Sequence, residues 1–322
     1  MKMAVLGAGN IAGTMARTIA PMKEIKAYAA GSRDLSKARA FAEKFGFKKA
    51  FGSYEEMLQD PEIDLVYVAT PHSHHYEHVR LCLEHGKNVL CEKAFTVNAA
   101  QARELLSMAE EKGLLLTEAI WTRYLPMRSI LDGVLESGII GEPYSLTGNL
   151  CYVLNHVRRN QLPELAGGAL LDLGVYPLNF ACMTFKAPVK SVLSTCRFNE
   201  YGVDDSNSII LTFEDGKTAT LHSSQLAASE RGGMIYGSKG YIEVENINNC
   251  QGIRVFNKNY ELIQEIRAPK QITGYEYEVI ACMEALEKGL TECPQMPHSE
   301  TIRMMELMDR IRADWGMKFP ME

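Results

Sequence analysis

The sequence of 322 residues lacks any excess of basic charge, any close cysteine pair and any long apolar run. Lys and Arg number 34 against 40 Asp and Glu, a formal net charge of −6. No basic block offsets that balance, which excludes a protein that tracks nucleic-acid phosphates. No apolar run approaches the ~18 residues of a membrane span, so no membrane partner is expected. The opening MKMAVLGAG lacks the longer apolar core and cleavage site of a secretory signal. Eight cysteines are scattered with no C-x-x-C motif, mostly among apolar neighbours, as buried reduced thiols are. A cytoplasmic protein is expected. Internal repeats, low-complexity tracts and long linkers are also missing. What remains is 46% hydrophobic and 23% charged, the composition of a globular protein long enough for two domains.

The first ~120 residues alternate short β-rich runs with helical stretches, the pattern of a parallel sheet with crossover helices. KMAVLG, IKAYAAG, DLVYVAT, NVLCEK and LLLTEAI read as strands apolar on both faces, which need helices on both sides. A doubly wound Rossmann-type domain over residues 1–121 is expected. After Trp121 the runs KSVLSTCRFNE, SNSIILTFED, KTATLHSSQLA, RGGMIYGSKGYIEVEN and QGIRVFNKN suggest a largely antiparallel sheet. One helical stretch precedes it near 168–185 and two follow it. Residues 122–322 therefore read as a single α+β domain.

Gly7, Gly9 and Ala12 form a G-x-G-x-x-A pattern between the first strand and first helix. Gly7 permits the tight turn, Gly9 lets a pyrophosphate approach, and Ala12 allows close helix packing. The helix start at Asn10 and Ile11 then offers free N–H groups to phosphate. A bare glycine turn is the structural alternative, and the strand–turn–helix context favours dinucleotide binding. Counting ~20 residues beyond the motif lands on Ser32 and Arg33 rather than the acidic residue that grips an NAD ribose. A hydroxyl and a guanidinium, with Lys37 a turn later, suit the 2′-phosphate of NADP, although Asp34 is adjacent and NAD stays open.

Four histidines (His72, His74, His75, His78) follow the strand DLVYV. No H-E-x-x-H frame accompanies them, so a partly exposed face beside the cofactor is expected rather than a metal site. In KNVLCEKAF, Glu92 and Lys93 emerge at a strand end, where a solvated salt bridge is the plain reading. Asp172 and Tyr176 are four apart in GGALLDLGVYPLNF and share a helix face, with Pro177 a source of kinking. Trp121, Arg123 and Tyr124 could line a pocket or simply pack, and Arg158 and Arg159 are weaker contacts.

Taken in order, GAGNIAG, ATPHSHHYEH, GKNVLCEKA and GGALLDLGVYPL resemble the Gfo/Idh/MocA oxidoreductases. SRDLSKARAFAEKFG, GSYEEMLQDPEID, LLLTEAIWTRYLP, GVDDS and GMKFP are similar to its dimeric trans-1,2-dihydrobenzene-1,2-diol dehydrogenase group, also described as D-xylose-NADP dehydrogenases. The resemblance implies that Lys93 sits beside the nicotinamide and the reacting hydroxyl, with Glu92 at the cofactor. Tyr176 would be the acid/base toward the substrate oxygen, positioned by Asp172. Cofactor contacts would come from Gly7, Gly9, Asn10, Ile11, Ser32, Arg33, Lys37, Thr70, Pro71, His72 and His75, and substrate contacts from Trp121, Arg123 and Tyr176. The family has proline after the lysine, where this chain has Ala94. A cis peptide there costs ~2.5–4 kcal/mol without proline, so a trans bond is expected.

The expected function is NADP(H)-dependent hydride transfer to or from a secondary alcohol or carbonyl of a small polyol, by a homodimer without a metal. A non-catalytic dinucleotide sensor is the competing class, and it would need none of Lys93, Asp172 and Tyr176.

Overall fold

Met3 to Leu6 and Leu65 to Val68 are completely buried, so both faces of their sheet are covered. They belong to the first of two compact units in the computed structural model, which describes residues 1–322. Its chain runs β1 (Lys2–Leu6), α1 (Asn10–Ile19), β2 (Lys26–Gly31), α2 (Leu35–Phe45), β3 (Lys49–Phe51) and α3 (Tyr54–Leu58). It continues through β4 (Leu65–Val68), α4 (His75–Glu84), β5 (Asn88–Glu92), α5 (Ala99–Lys112) and β6 (Leu116–Ala119). All six strands are parallel, in the order β3-β2-β1-β4-β5-β6. The order reverses at β1 and β4, the crevice where doubly wound sheets bind ligands. Helix starts follow side-chain chemistry: Asp34, Ser53 and Asn98 cap α2, α3 and α5. Strand β3 escapes sequence reading because it is a three-residue edge.

The second unit begins at Thr122. It contains α6 (Pro126–Glu136), β7 (Pro143–Cys151), a π-helical turn at Leu170–Gly174 and α7 (Val175–Thr184). Strands β8 (Val189–Phe198), β9 (Asp204–Phe213), β10 (Thr218–Ser224), β11 (Gly233–Gly237), β12 (Gly240–Glu245), β13 (Gly252–Asn257) and β14 (Leu262–Arg267) follow. The eight strands order as β14-β13-β12-β11-β7-β10-β9-β8, antiparallel except for β7 against β10.

Strand β7 was not foreseen, because PYSLTGNLC carries a proline and a glycine. Its glycine has a packing reason. Gly148 and Gly233 are register partners, and a Cβ at either would come within 3.1 or 2.6 Å of the Phe180 ring of α7. The glycines cut a slot that lets the helix lie close on the sheet. That helix also corrects the expectation about apolar runs. Residues 163–184 are long and apolar enough to cross a bilayer, but 94% of that window is buried inside the protein. Burial on every side explains the composition.

Two further helices end the chain, α8 (Glu276–Glu287) and α9 (His298–Asp314). Residues 271–305 join the first unit, whereas 306–322 join the second, which differs from the continuous 122–322 domain expected from sequence. Hydrogen bonds hold the returning segment. Leu116 N–H donates to Thr291 O at 3.0 Å, and His298 Nε2 lies 2.9 Å from Leu116 O. Tyr275 stacks on Trp121 with ring centroids 4.1 Å apart. Such contacts across ~180 residues leave no periodic trace.

Candidate active site

A cavity of about 410 Å³ opens at the crevice of the parallel sheet. It is lined by Gly7, Gly9, Ser32, Arg33, Lys37, Thr70 and Pro71, all expected from sequence. Helix α1 starts at this cavity, and its N-cap Gly9 supplies no side-chain cap, leaving its first N–H groups for an anion. A Cβ at Gly9 would meet nothing within 4 Å, so the open space suits a ligand phosphate. At Gly7 the backbone is left-handed (φ +107°), and a Cβ would press on Ala69 O at 3.0 Å.

At the end of β2, Asp34 Oδ1 accepts from Ser36 N–H at 2.8 Å and Lys37 N–H at 3.3 Å and so caps α2, while Asp34 also lines the cavity. Ser32 is buried, and Arg33 and Lys37 are exposed around the same cavity. Tyr54, His74 and His78 also line it, together with a neighbouring cavity of about 760 Å³ that Arg33 shares. Tyr54 carries no motif and was missed.

The histidines divide by burial. His74 and His78 stack at 5.6 Å along the cavity wall, with His78 Nδ1 3.0 Å from Thr70 Oγ1. His72 and His75 are buried, contrary to the partly exposed face expected, because the 3-10 turn at His72–His74 aims them inward. His75 sits between two backbone carbonyls, with Nδ1 2.9 Å from Ala94 O and Nε2 2.8 Å from Thr70 O. Burial pushes its imidazole down to about 4, against the opposing pull of those carbonyls. A neutral ring results, which donates to only one of the two carbonyls, and the side chain packs between their loops rather than lining the cavity. No group of three or more His, Cys, Asp or Glu is arranged to hold a metal ion.

Lys93 follows β5 directly and is half-buried, while Glu92 is buried. The Lys93–Ala94 peptide is cis, correcting the trans expectation. Two side chains hold the backbone after it, and a third holds the Glu92 side chain before it. His75 meets Ala94 O, Phe95 N–H donates to Glu118 Oε1 at 3.2 Å, and Tyr67 OH donates to Glu92 Oε1. Neither Glu118 nor Tyr67 carried a sequence signal for this role. Asn10, Ile11, His72, His75, Glu92 and Lys93 do not line the cavity of about 410 Å³.

In the second unit, Asp172 lies in the π-turn and Tyr176 at the start of α7, both buried. Val175 N–H donates to Leu170 O, five residues back, and this irregularity precedes Pro177. Asn160 Nδ2 donates to Asp172 Oδ2 at 2.9 Å, and Arg159 Nη2 lies 3.7 Å from its Oδ1. Arg123 Nε donates to Asn179 Oδ1 at 2.6 Å, and Asn179 Nδ2 to Val175 O at 2.7 Å. Arg123 therefore braces the helix that carries Tyr176. Trp121, in the first unit, has one face covered by Tyr275, and Arg158 is exposed.

Family comparison agrees with this anatomy. Residues 1–120 match the oxidoreductase family with an NAD-binding Rossmann fold, and residues 131–243 match the GFO/IDH/MocA C-terminal domain. The trans-1,2-dihydrobenzene-1,2-diol dehydrogenase of Mus musculus is 33% identical, over 100% of this chain and 99% of its own. That of Macaca fascicularis is 35% identical over 94% and 92%. Among solved structures, the 3-ketoreductase KijD10 of Actinomadura kijaniata with NADP and TDP-benzene superposes with a TM-score of 0.88 at 24% identity, covering 97% of each chain. Levoglucosan dehydrogenase in complex with NADH gives 0.87 at 16% identity, over 98% and 97%. The chain belongs to the Gfo/Idh/MocA family of oxidoreductases.

Proposed function

We propose that this oxidoreductase uses NADP(H) to interconvert a secondary alcohol and a carbonyl on a small polyol, either a sugar or a trans-dihydrodiol. The placement of Ser32, Arg33 and Lys37 around the cavity carries the cofactor choice, with Asp34 Oδ1 drawn to the helix cap beside them. Ser32, Arg33 and Lys37 present a hydroxyl and two cations to a 2′-phosphate. Solved relatives of this fold are named with NADP and with NADH, so the architecture leaves the choice to these local residues.

The nicotinamide, when bound, supplies the site that takes or gives the hydride. The chain's own residues handle the proton and the orientation. Tyr176 exchanges the hydroxyl proton with the substrate oxygen, and Lys93 orients that oxygen and takes part in the transfer. Asp172, held by Asn160 and Arg159, positions the tyrosine. A sensor that only binds dinucleotide would have no use for these three residues, and the curated relatives are named as dehydrogenases.

The assembly we propose is a homodimer formed through the open face of the eight-stranded sheet. Leu193, Ile210, Thr220, Thr147 and Met234 pair in register across five strands, and none is charged. Leu193 is 70% exposed there. Light scattering at micromolar concentration should return twice the chain mass, and a monomer mass would rule the dimer out.

The deciding assay presents NADP or NAD with a panel of aldoses and trans-dihydrodiols and follows reduced cofactor. Reduction of NADP by at least one panel member, with NAD markedly poorer, is expected. Equal use of both cofactors would overturn the NADP assignment, and no turnover with any member would overturn the substrate class.

A further inference from the structure

The GVDDS segment (residues 202–206) carries a buried acid that the site described above leaves unused. Asp204 opens β9 and is fully buried. Its Oδ2 accepts the N–H of Leu170, the first residue of the π-turn, at 2.8 Å. The same oxygen accepts Asn207 Nδ2 at 2.9 Å, and Asn207 Oδ1 takes Ser223 Oγ of β10 at 2.9 Å. The acid is thus anchored to two strands before it reaches the helix. A helix start leaves N–H groups without partners, and a carboxylate there satisfies one of them and complements the dipole.

Gly168 makes the approach feasible. A Cβ there would stand 2.5 Å from Asp204 Oδ1, and its φ of +121° is left-handed. Gly168 N–H is in turn taken by Asn160 O at 2.8 Å, the residue whose amide holds Asp172. The turn before Asp172 is gripped from both sides, by β9 and by Asn160.

We propose that Asp204 is a positioning residue, which sets the start of the π-turn through Leu170 N–H and so aims Asp172 and Tyr176. This rests on the assignment of those two residues to the substrate oxygen. The structure adds a pH signature. Burial pushes Asp204 up to about 6, against the hydrogen bonds from Asn207 and Leu170 N–H. The charged groups around it are Asp205, paired with Arg197 of β8, and on the helix side Asp172 with Arg159. Cys196 is the neighbouring thiol, and proximity to Asp204 and Asp205 adds to the burial that pushes it up to about 11. Protonation of Asp204 removes the charge at the helix start and weakens its hold on Leu170.

Two variants test this, Asp204→Asn, which keeps an acceptor but cannot ionise, and Asp204→Ala, which keeps neither. The kcat of the full-length enzyme with NADP and a turned-over substrate is followed between about pH 5 and 8, with amide hydrogen exchange of residues 168–176 alongside. Asp204→Ala should lose about tenfold or more in kcat with KM and NADP affinity kept, and amides 170–176 should exchange about tenfold faster. Asp204→Asn, a neutral stand-in for the protonated acid, should hold kcat at every pH near the lowered level that the wild type reaches below about pH 6, and so lose the acid limb. Wild-type kcat and exchange in Asp204→Ala would overturn the proposal. An unchanged acid limb in Asp204→Asn would also overturn it. If Asp204→Ala does not fold, the pH profile of Asp204→Asn decides. If the wild type turns over no sugar or diol, the functional reading fails instead, and exchange in wild type and Asp204→Asn at both ends of the pH range still decides.

Discussion

In the first unit the cavity-lining groups sit at the carboxyl ends of neighbouring parallel strands, on the loops and the first turns of the helices that follow. In the second unit, Asp172 and Tyr176 lie on a helix whose start is held by Asn160 from upstream and Asp204 from downstream. The first arrangement depends on local turns and backbone N–H groups, so it tolerates change elsewhere. The second places buried polar groups in one another's hands, where losing one partner strands the other at a cost of ~1–3 kcal/mol.

The widest test asks whether the two units serve one chemical step. Lys93→Met keeps the apolar stem and should retain folding and NADP binding, while turnover falls by ~10²–10⁴. Tyr176→Phe should fall comparably. If both act on one substrate oxygen, the double variant loses far less than the product of the single losses. Single-turnover hydride transfer on protein with native melting measures this, and multiplicative losses would assign the units to separate steps. Near-normal rates for Lys93→Met would return that lysine to a solvated strand end.

Acid sharpens the contrast next, because the units respond with opposite sign. His75 is depressed from 6.5 to about 4, so its contribution is present above 6.5 and is lost as pH falls toward 4. That term is worth roughly 3 kcal/mol. Asp204 is raised from 3.8 to about 6, so its contribution is present below 3.8 and is lost as pH rises through 6. Thermal melts across this range should show His75→Gln flattening the acid-side loss and Asp204→Asn flattening the opposing trend. A His75→Gln melt that tracks wild type at every pH would contradict the first assignment.

At the cofactor end, Arg33→Asp should weaken NADP by ~1.5–3 kcal/mol and NAD far less. Equal losses in titrations of the two cofactors would remove the 2′-phosphate role. The smallest effect is expected at Trp121. Its stack on Tyr275 predicts that Trp121→Phe costs about 1 kcal/mol in stability with KM unchanged. A KM rise at unchanged melting temperature would restore the substrate-contact reading.

Much of the first unit is legible without coordinates. Gly7, Gly9 and Ala12 act within one strand–turn–helix, and the strands announce themselves as apolar runs. The capping role of Asp34 was also readable, since an aspartate before LSKARAFAEKF is a helix-start signal. The second unit reads less well. The glycine of β7 argues against a central strand until Phe180 is seen to need the space. The family pattern in GVDDS was visible, but the contact from Asp204 to Leu170 was not.

The sequence by itself determined the doubly wound domain, the dinucleotide fingerprint, the Ser32–Arg33 stretch at the end of β2 and the family, because each depends on residues within a few positions of one another. Tertiary structure alone decided the return of residues 271–305, the burial of His75, the cis Lys93–Ala94 peptide and the clasp on the Asp172 turn. These rest on pairings such as His298 with Leu116 and Asp204 with Leu170, and periodicity carries no record of which distant partner a buried polar group will find.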